Sequence, residues 1–192
     1  MRYKITVEYD GTNLVGWQRQ KDGPSAQAFL EDAIYGFSHQ RTDVFAAGRT
    51  DAGVHALGQV AHFDLDMDLS EFKMRESLNA LLRELQAPVA VINAEKVGED
   101  FHARFSAKGR GYIYRILNRR GPSPLRTNRV WLVSYNLDVA AMQKGAQYLL
   151  GNHDFSSFRG AGCQALSPVK TLDKLDIERQ GEEIIFTVEA RS

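Results

Sequence analysis

Bulky and polar residues alternate from the start of the chain. Tyr3, Ile5, Val7 and Tyr9 are interleaved with Lys4, Thr6 and Glu8, the two-residue period of a half-buried strand. Asp10-Gly11 breaks it. From Ser25 the period becomes helical: Ala26, Phe29, Leu30, Ala33, Ile34 and Phe37 form one stripe, with Ser25 placed to cap the first turn. A second helix is predicted over Ser70 to Leu85 through Met74, Leu78, Leu81, Leu82 and Leu85. Gln59 to Phe63 and Val89 to Val97 read as strands on either side of it, so the first half is β, α, β, α, β.

The second half begins near Phe105. Tyr112, Tyr114 and Ile116 alternate with Ile113, Arg115 and Leu117, a strand too apolar on both faces to be fully exposed. A loop containing Gly121, Pro122 and Pro124 follows, then a short strand from Val130 to Tyr135. Asp138 is placed to cap a helix that carries Val139, Met142, Ala146, Leu149 and Leu150 and stops at Gly151. Two strands come last, Leu172 to Glu178 and Glu183 to Ala190, joined through Arg179-Gln180-Gly181-Glu182. Strands alternating with one-sided helices imply an α+β fold, two similar α/β halves at 1–104 and 105–192 forming a mainly antiparallel sheet with helices on one face. The second half has one predicted helix where the first has two. The chain stops at Ser192 directly after a strand pattern, so the second half is expected to lack its last helix.

Composition narrows the class only a little. Of 192 residues, 43% are hydrophobic and 25% charged, as in ordinary globular proteins. A lone cysteine, Cys163, cannot form an intrachain disulfide, and no apolar run approaches the roughly 20 residues of a membrane span. A cytoplasmic protein with no membrane association is expected. Charge changes the picture more. The formal net charge is zero, yet Arg104, Lys108, Arg110, Arg115, Arg119, Arg120, Arg126 and Arg129 follow one another with no acid between them. Phe105, Tyr112 and Tyr114 are interleaved with these cations, a pattern that suits a surface tracking a nucleic-acid backbone and stacking on its bases; a solvated basic loop is the plainer alternative.

Phosphate-loop, dinucleotide, zinc-protease and nucleophile-elbow motifs are absent. A metal site on His55, His62 and Asp64 is the weaker reading, because the histidines are scattered along the chain. Glu8 and Asp10, at a strand end before a glycine, suit a turn better than acid–base work. The candidate chemistry lies in AGRTDAGVHA, Ala47 to Ala56. Gly48 and Gly53 would let the backbone turn sharply and bring Arg49 close to Asp51. A carboxylate so placed can serve as nucleophile, base or cation ligand, or the two side chains can simply form a loop-holding ion pair.

The stretch AGRTDAGVHALGQVAHF, Ala47 to Phe63, resembles the signature loop of the tRNA pseudouridine synthase A family. YDGTNLVGWQRQ at Tyr9 to Gln20, SLNALL at Ser77 to Leu82, FHARFSAKGRGYIYRI at Phe101 to Ile116 and HDFSSFR at His153 to Arg159 are similar to family motifs in family order. The resemblance implies isomerisation of uridine to pseudouridine at positions 38, 39 and 40 of the tRNA anticodon stem-loop, with no cofactor and no metal. It makes Asp51 the catalytic nucleophile and Tyr112 the tyrosine that packs on the target base. Arg49 is implied to pair with Asp51 and wedge the nucleotide out, and Arg110 is a further substrate-binding candidate in the same segment as Tyr112. His55 and Gln59 are expected to shape the loop. A homodimer is implied, with an RNA-binding cleft between the two halves of each chain and the basic segment as part of its wall. Family members continue beyond the ARS at Ala190 to Ser192 into an arginine-bearing helix. A tRNA-binding module without turnover is therefore the alternative reading.

Overall fold

In a computed structural model of the chain, residues 1–160 and 167–191 are described. Cys163 and Ser192, on which the compartment and chain-end expectations rest, lie outside the described residues. The chain divides into two units, Met1–Ala107 and Lys108–Ser192, and each has its own sheet.

The first unit opens with β1 (Arg2–Tyr9), whose Tyr3, Ile5, Val7 and Tyr9 are buried as the alternation predicts. In α1 (Ala26–Ser38) the Ser25 hydroxyl accepts the Ala28 N–H at 3.2 Å, satisfying one of the donors a helix start leaves open. The short β2 (Phe45–Ala46) and β3 (Ala56–Asp64) follow, then α2 (Glu71–Glu84), capped by Ser70, and β4 (Val89–Val97). The strands lie in the antiparallel order β2-β3-β1-β4. Leu30 and Ile34 of α1 and Met74, Leu78 and Leu82 of α2 share one core with Ile5, Phe63 and Val91, which puts both helices on one sheet face. Val7 faces Val91 and Thr6 faces Asn93, so Ile92 is an extra residue that bulges and shifts the phase, carrying Ala94 inward. Asn79, in the SLNALL run, closes both polar groups of Val91 with hydrogen bonds of 2.8 Å.

The second unit comprises β5 (Gly109–Asn118), β6 (Trp131–Val133), α3 (Val139–Gln147), β7 (Gly151–Asp154), β8 (Val169–Gln180) and β9 (Glu183–Arg191). The order is β6-β5-β9-β8-β7, antiparallel except for the β5–β6 pair. Its core is small: Ile116, Val133, Ala146, Ile177 and Ile184. The fold is thus α+β with mainly antiparallel sheets, as expected, although the strands form two sheets rather than one.

Two local expectations are corrected. α3 ends at Gln147, because Tyr148 and Leu149 donate to the carbonyls of Gly145 and Ala146 and the last turn tightens to an i→i−3 pattern. Gly151, expected just past the helix end, instead begins β7 in a left-handed conformation (φ 99). β5 is not fully exposed, as expected: Ile116 and Leu117 are buried, while Tyr112, Ile113 and Tyr114 are each about half exposed.

Candidate functional site

The loop at residues 47–55 joins β2 to β3 in the first unit. On the strand side, Ala47 N–H donates to the Val60 carbonyl at 2.8 Å, and Gln59 Nε2 donates to the Gly48 carbonyl at 2.5 Å. On the other side the loop is gripped by the chain that leaves β1. Trp17 N–H donates to the Thr50 carbonyl at 3.0 Å, Gly53 N–H to the Leu14 carbonyl at 3.3 Å, and the Tyr9 hydroxyl lies 2.7 Å from Thr50 Oγ1. The stretches YDGTNLVGW and AGRTDAGVHA are therefore one local structure.

Their approach is close enough to require glycine. A Cβ on Gly11 would lie 2.1 Å from the Val54 carbonyl oxygen, and one on Gly16 would lie 2.7 Å from the Thr50 carbonyl oxygen. Gly16 and Gly53 adopt left-handed conformations, whereas Gly48 does not. The sharp turn expected of both loop glycines is thus made by Gly53.

His55 shapes the loop, as expected. Its Nδ1 accepts the Gly11 N–H at 3.1 Å and lies 3.1 Å from Asp10 Oδ1. The Asp10 carboxylate also accepts the Thr12 N–H at 3.0 Å, the turn role the sequence suggests. Arg49 and Asp51 are both exposed. Among the described residues neither side chain makes a hydrogen bond or ion pair, so the expected Arg49–Asp51 contact is not formed. The direction of Asp51 is set by the backbone beneath it.

The remaining candidates belong to the second unit. Arg110 and Tyr112 are two residues apart on β5 and share a sheet face, opposite Ala190 and Val188 of β9. Tyr114 continues that face and meets Phe186 edge-on at 6.0 Å. In HDFSSFR, Asp154 accepts hydrogen bonds from the Ser156 side chain and N–H, which hold its carboxyl below the usual range.

The basic segment is less free than its sequence implies. Arg115 Nη1 and Arg126 Nε each lie 3.0 Å from Glu183, and Arg119 Nη1 lies 2.7 Å from Glu182. These acids come from the β8–β9 turn and the first residue of β9, far along the chain. Arg104, Lys108 and Arg120 are exposed.

The residues of the weaker metal reading are engaged elsewhere. His62 is buried, its Nδ1 accepts the Ala103 N–H at 3.2 Å, and its ring lies 4.6 Å from that of His102 and stacks on Phe45. Burial, then the neighbouring His102 and Arg2, push the His62 imidazole below its ordinary pKa. Asp64 is held by Arg2 at 2.8 and 2.7 Å, which lowers its pKa. Among the described residues no group of three His, Cys, Asp or Glu side chains could hold a metal, and no helix is long and apolar enough to cross a membrane.

Tyr9, Gly11 and Gly16 are the site residues that sequence reasoning passed over. Tyr9 was legible only as a buried strand position, although all three lie within the quoted motif.

Comparison with known proteins follows the same residues. A family model described as tRNA pseudouridine synthase matches residues 5–106 and 146–192. The first range contains the whole loop and its clamp; Arg110 and Tyr112 fall between the two ranges. The chain is 55% identical over 191 residues to tRNA pseudouridine synthase A of Rhodospirillum centenum, covering 100% of this chain and 77% of that protein. It is 56% identical over 191 residues to the protein of the same name from Paramagnetospirillum magneticum, covering 100% and 74%. The corresponding Bartonella tribocorum protein is 50% identical over 191 residues, covering 100% and 77%.

Proposed function

The chain belongs to the tRNA pseudouridine synthase family, and from that premise we propose that it isomerises uridines 38, 39 and 40 of the tRNA anticodon stem-loop, with Asp51 as nucleophile. The observation that carries this reading is an exposed carboxylate on a loop whose backbone is held from both sides. A target base cannot be reached inside a stem, so the nucleotide is turned out of its stack before reaction. The Asp51 carboxylate then attacks ribose C1′, and the C1′–N1 bond breaks with its electron pair going to the uracil. The detached base rotates without leaving, C5 attacks C1′, and the carboxylate departs. Loss of the C5 proton and gain of one at N1 complete the product. Holding the base through this rotation turns a two-molecule recombination into an internal one, a large part of the barrier.

Tyr112, half exposed on β5, is the residue we assign to stack on the base, its hydroxyl being available to the C5 proton. Arg110 on the same face binds the RNA backbone, and Arg49 displaces the target nucleotide. The enzyme works as a cytoplasmic homodimer without a cofactor. The relatives' shared name favours an enzyme over a tRNA-binding module without turnover.

The test is carbodiimide primer-extension mapping on tRNA incubated with wild-type protein and Asp51→Asn. Stops at one or more of positions 38–40 are expected with wild type and none with the variant. Modification by Asp51→Asn, or stops only outside the anticodon arm, would overturn the assignment.

A further inference from the structure

We propose that Tyr9 is a positioning residue for the Asp51 carboxylate, acting through the hydroxyl of Thr50. This deepens the preceding reading and rests on Asp51 as nucleophile. Asp51 has no side-chain partner of its own among the described residues, so its aim derives from the residues that flank it. Thr50 is the immediate one, and it is held at two points. Its carbonyl accepts the Trp17 N–H at 3.0 Å, and its Oγ1 is 2.7 Å from the Tyr9 hydroxyl.

The far end of that second contact is rigid. Tyr9 closes β1 and is 3% exposed, and its ring lies 6.0 Å from that of Trp17, which is 2% exposed. A hydroxyl carried on a buried ring at a strand end has little freedom to follow a moving loop. Losing the Tyr9 hydrogen bond would leave Thr50 held by its carbonyl alone, free to tilt about that point. Asp51 would then point variably toward C1′. Such errors in aim lower the rate of the chemical step more than the affinity for RNA.

The experiment compares Tyr9→Phe, Thr50→Val, Thr50→Ser and the Tyr9→Phe/Thr50→Val double variant of the full chain in single-site pseudouridine formation on anticodon-arm RNA. Tyr9→Phe and Thr50→Val should each lower kcat about tenfold while KM stays within about twofold. Thr50→Ser keeps the hydroxyl and should retain most of the activity. The double variant should be no slower than the slower single variant, since both remove one contact. Wild-type kcat in Tyr9→Phe, loss in Thr50→Ser as large as in Thr50→Val, or effects that multiply would overturn the proposal. Asp51→Asn is run alongside: activity in that variant, or none in wild type, sinks the isomerase reading instead. In that event hydrogen exchange decides the anchoring claim. Faster exchange of the Gly53 and Val54 amides in Tyr9→Phe supports it, and unchanged exchange overturns it.

Discussion

Asp51 is exposed and unpartnered among the described residues, while the residue before it is gripped by Tyr9 and Trp17. That division suits a nucleophile, whose oxygen must be open to substrate while its position is fixed. The sequence made Asp51 conspicuous through its setting between glycines, with Arg49 on one side and the His55 imidazole on the other. It could not show the Tyr9 contact, because the partners are 41 residues apart and the alternation of β1 speaks only to burial. The expected Arg49–Asp51 pair fails for a related reason: neighbours in sequence share a contact only if the loop turns their side chains together, and here both point to solvent.

His62 offers a separate test at this scale. Burial holds its folded-state pKa below the ordinary imidazole value of about 6.5, so the unfolded chain takes up the proton first as pH falls. Stability contributed by the neutral ring is complete above about pH 6.5 and is lost as pH drops from there through the lower folded value. Protonation would also end the acceptance of the Ala103 N–H at Nδ1. Urea midpoints should therefore fall from about pH 7 to pH 5 in wild type, and fall less in His62→Gln. Equal slopes in the two proteins would contradict this account.

Among the elements, α1 and α2 were legible because long stripes and serine caps coincide. β2 and β7 were not. β2 has two residues, and β7 is Gly-Asn-His-Asp, all exposed, so neither has an apolar period to detect. The overlong reading of α3 has the same root: Leu149 and Leu150 extend the apolar pattern, but the hydrogen bonding tightens before them. The clamp formed by the β1–α1 connection and the 47–55 loop predicts a contrast between two glycines. Gly11→Ala sets a Cβ against backbone at 2.1 Å, whereas a Cβ on Gly53 meets nothing within 4 Å and strains only a φ of +79. Gly53→Ala should cost about 1 kcal/mol and Gly11→Ala about 3 kcal/mol or more, measured by urea unfolding. Similar costs would mean that the clamp yields.

For the whole molecule, zero net charge concealed an acid-free basic stretch, and linear charge in turn concealed the pairing of Arg115, Arg119 and Arg126 with Glu182 and Glu183. Long-range pairing of this kind is set by strand register, which no local pattern encodes. Apart from β2 and β7, the division into strands and one-sided helices was legible; the separation into two sheets was not, because alternation gives a strand's faces but not its neighbours. In the reaction proposed for the whole chain, a uracil C5–H is exchanged for a C5–C1′ bond at a site that depends on Asp51. Release of tritium from tRNA carrying [5-³H]uridine measures that exchange directly. Wild-type protein is expected to release tritium up to the number of target uridines in the anticodon arm, and Asp51→Asn none. Release by the Asp51→Asn protein at the wild-type rate would contradict the proposed reaction.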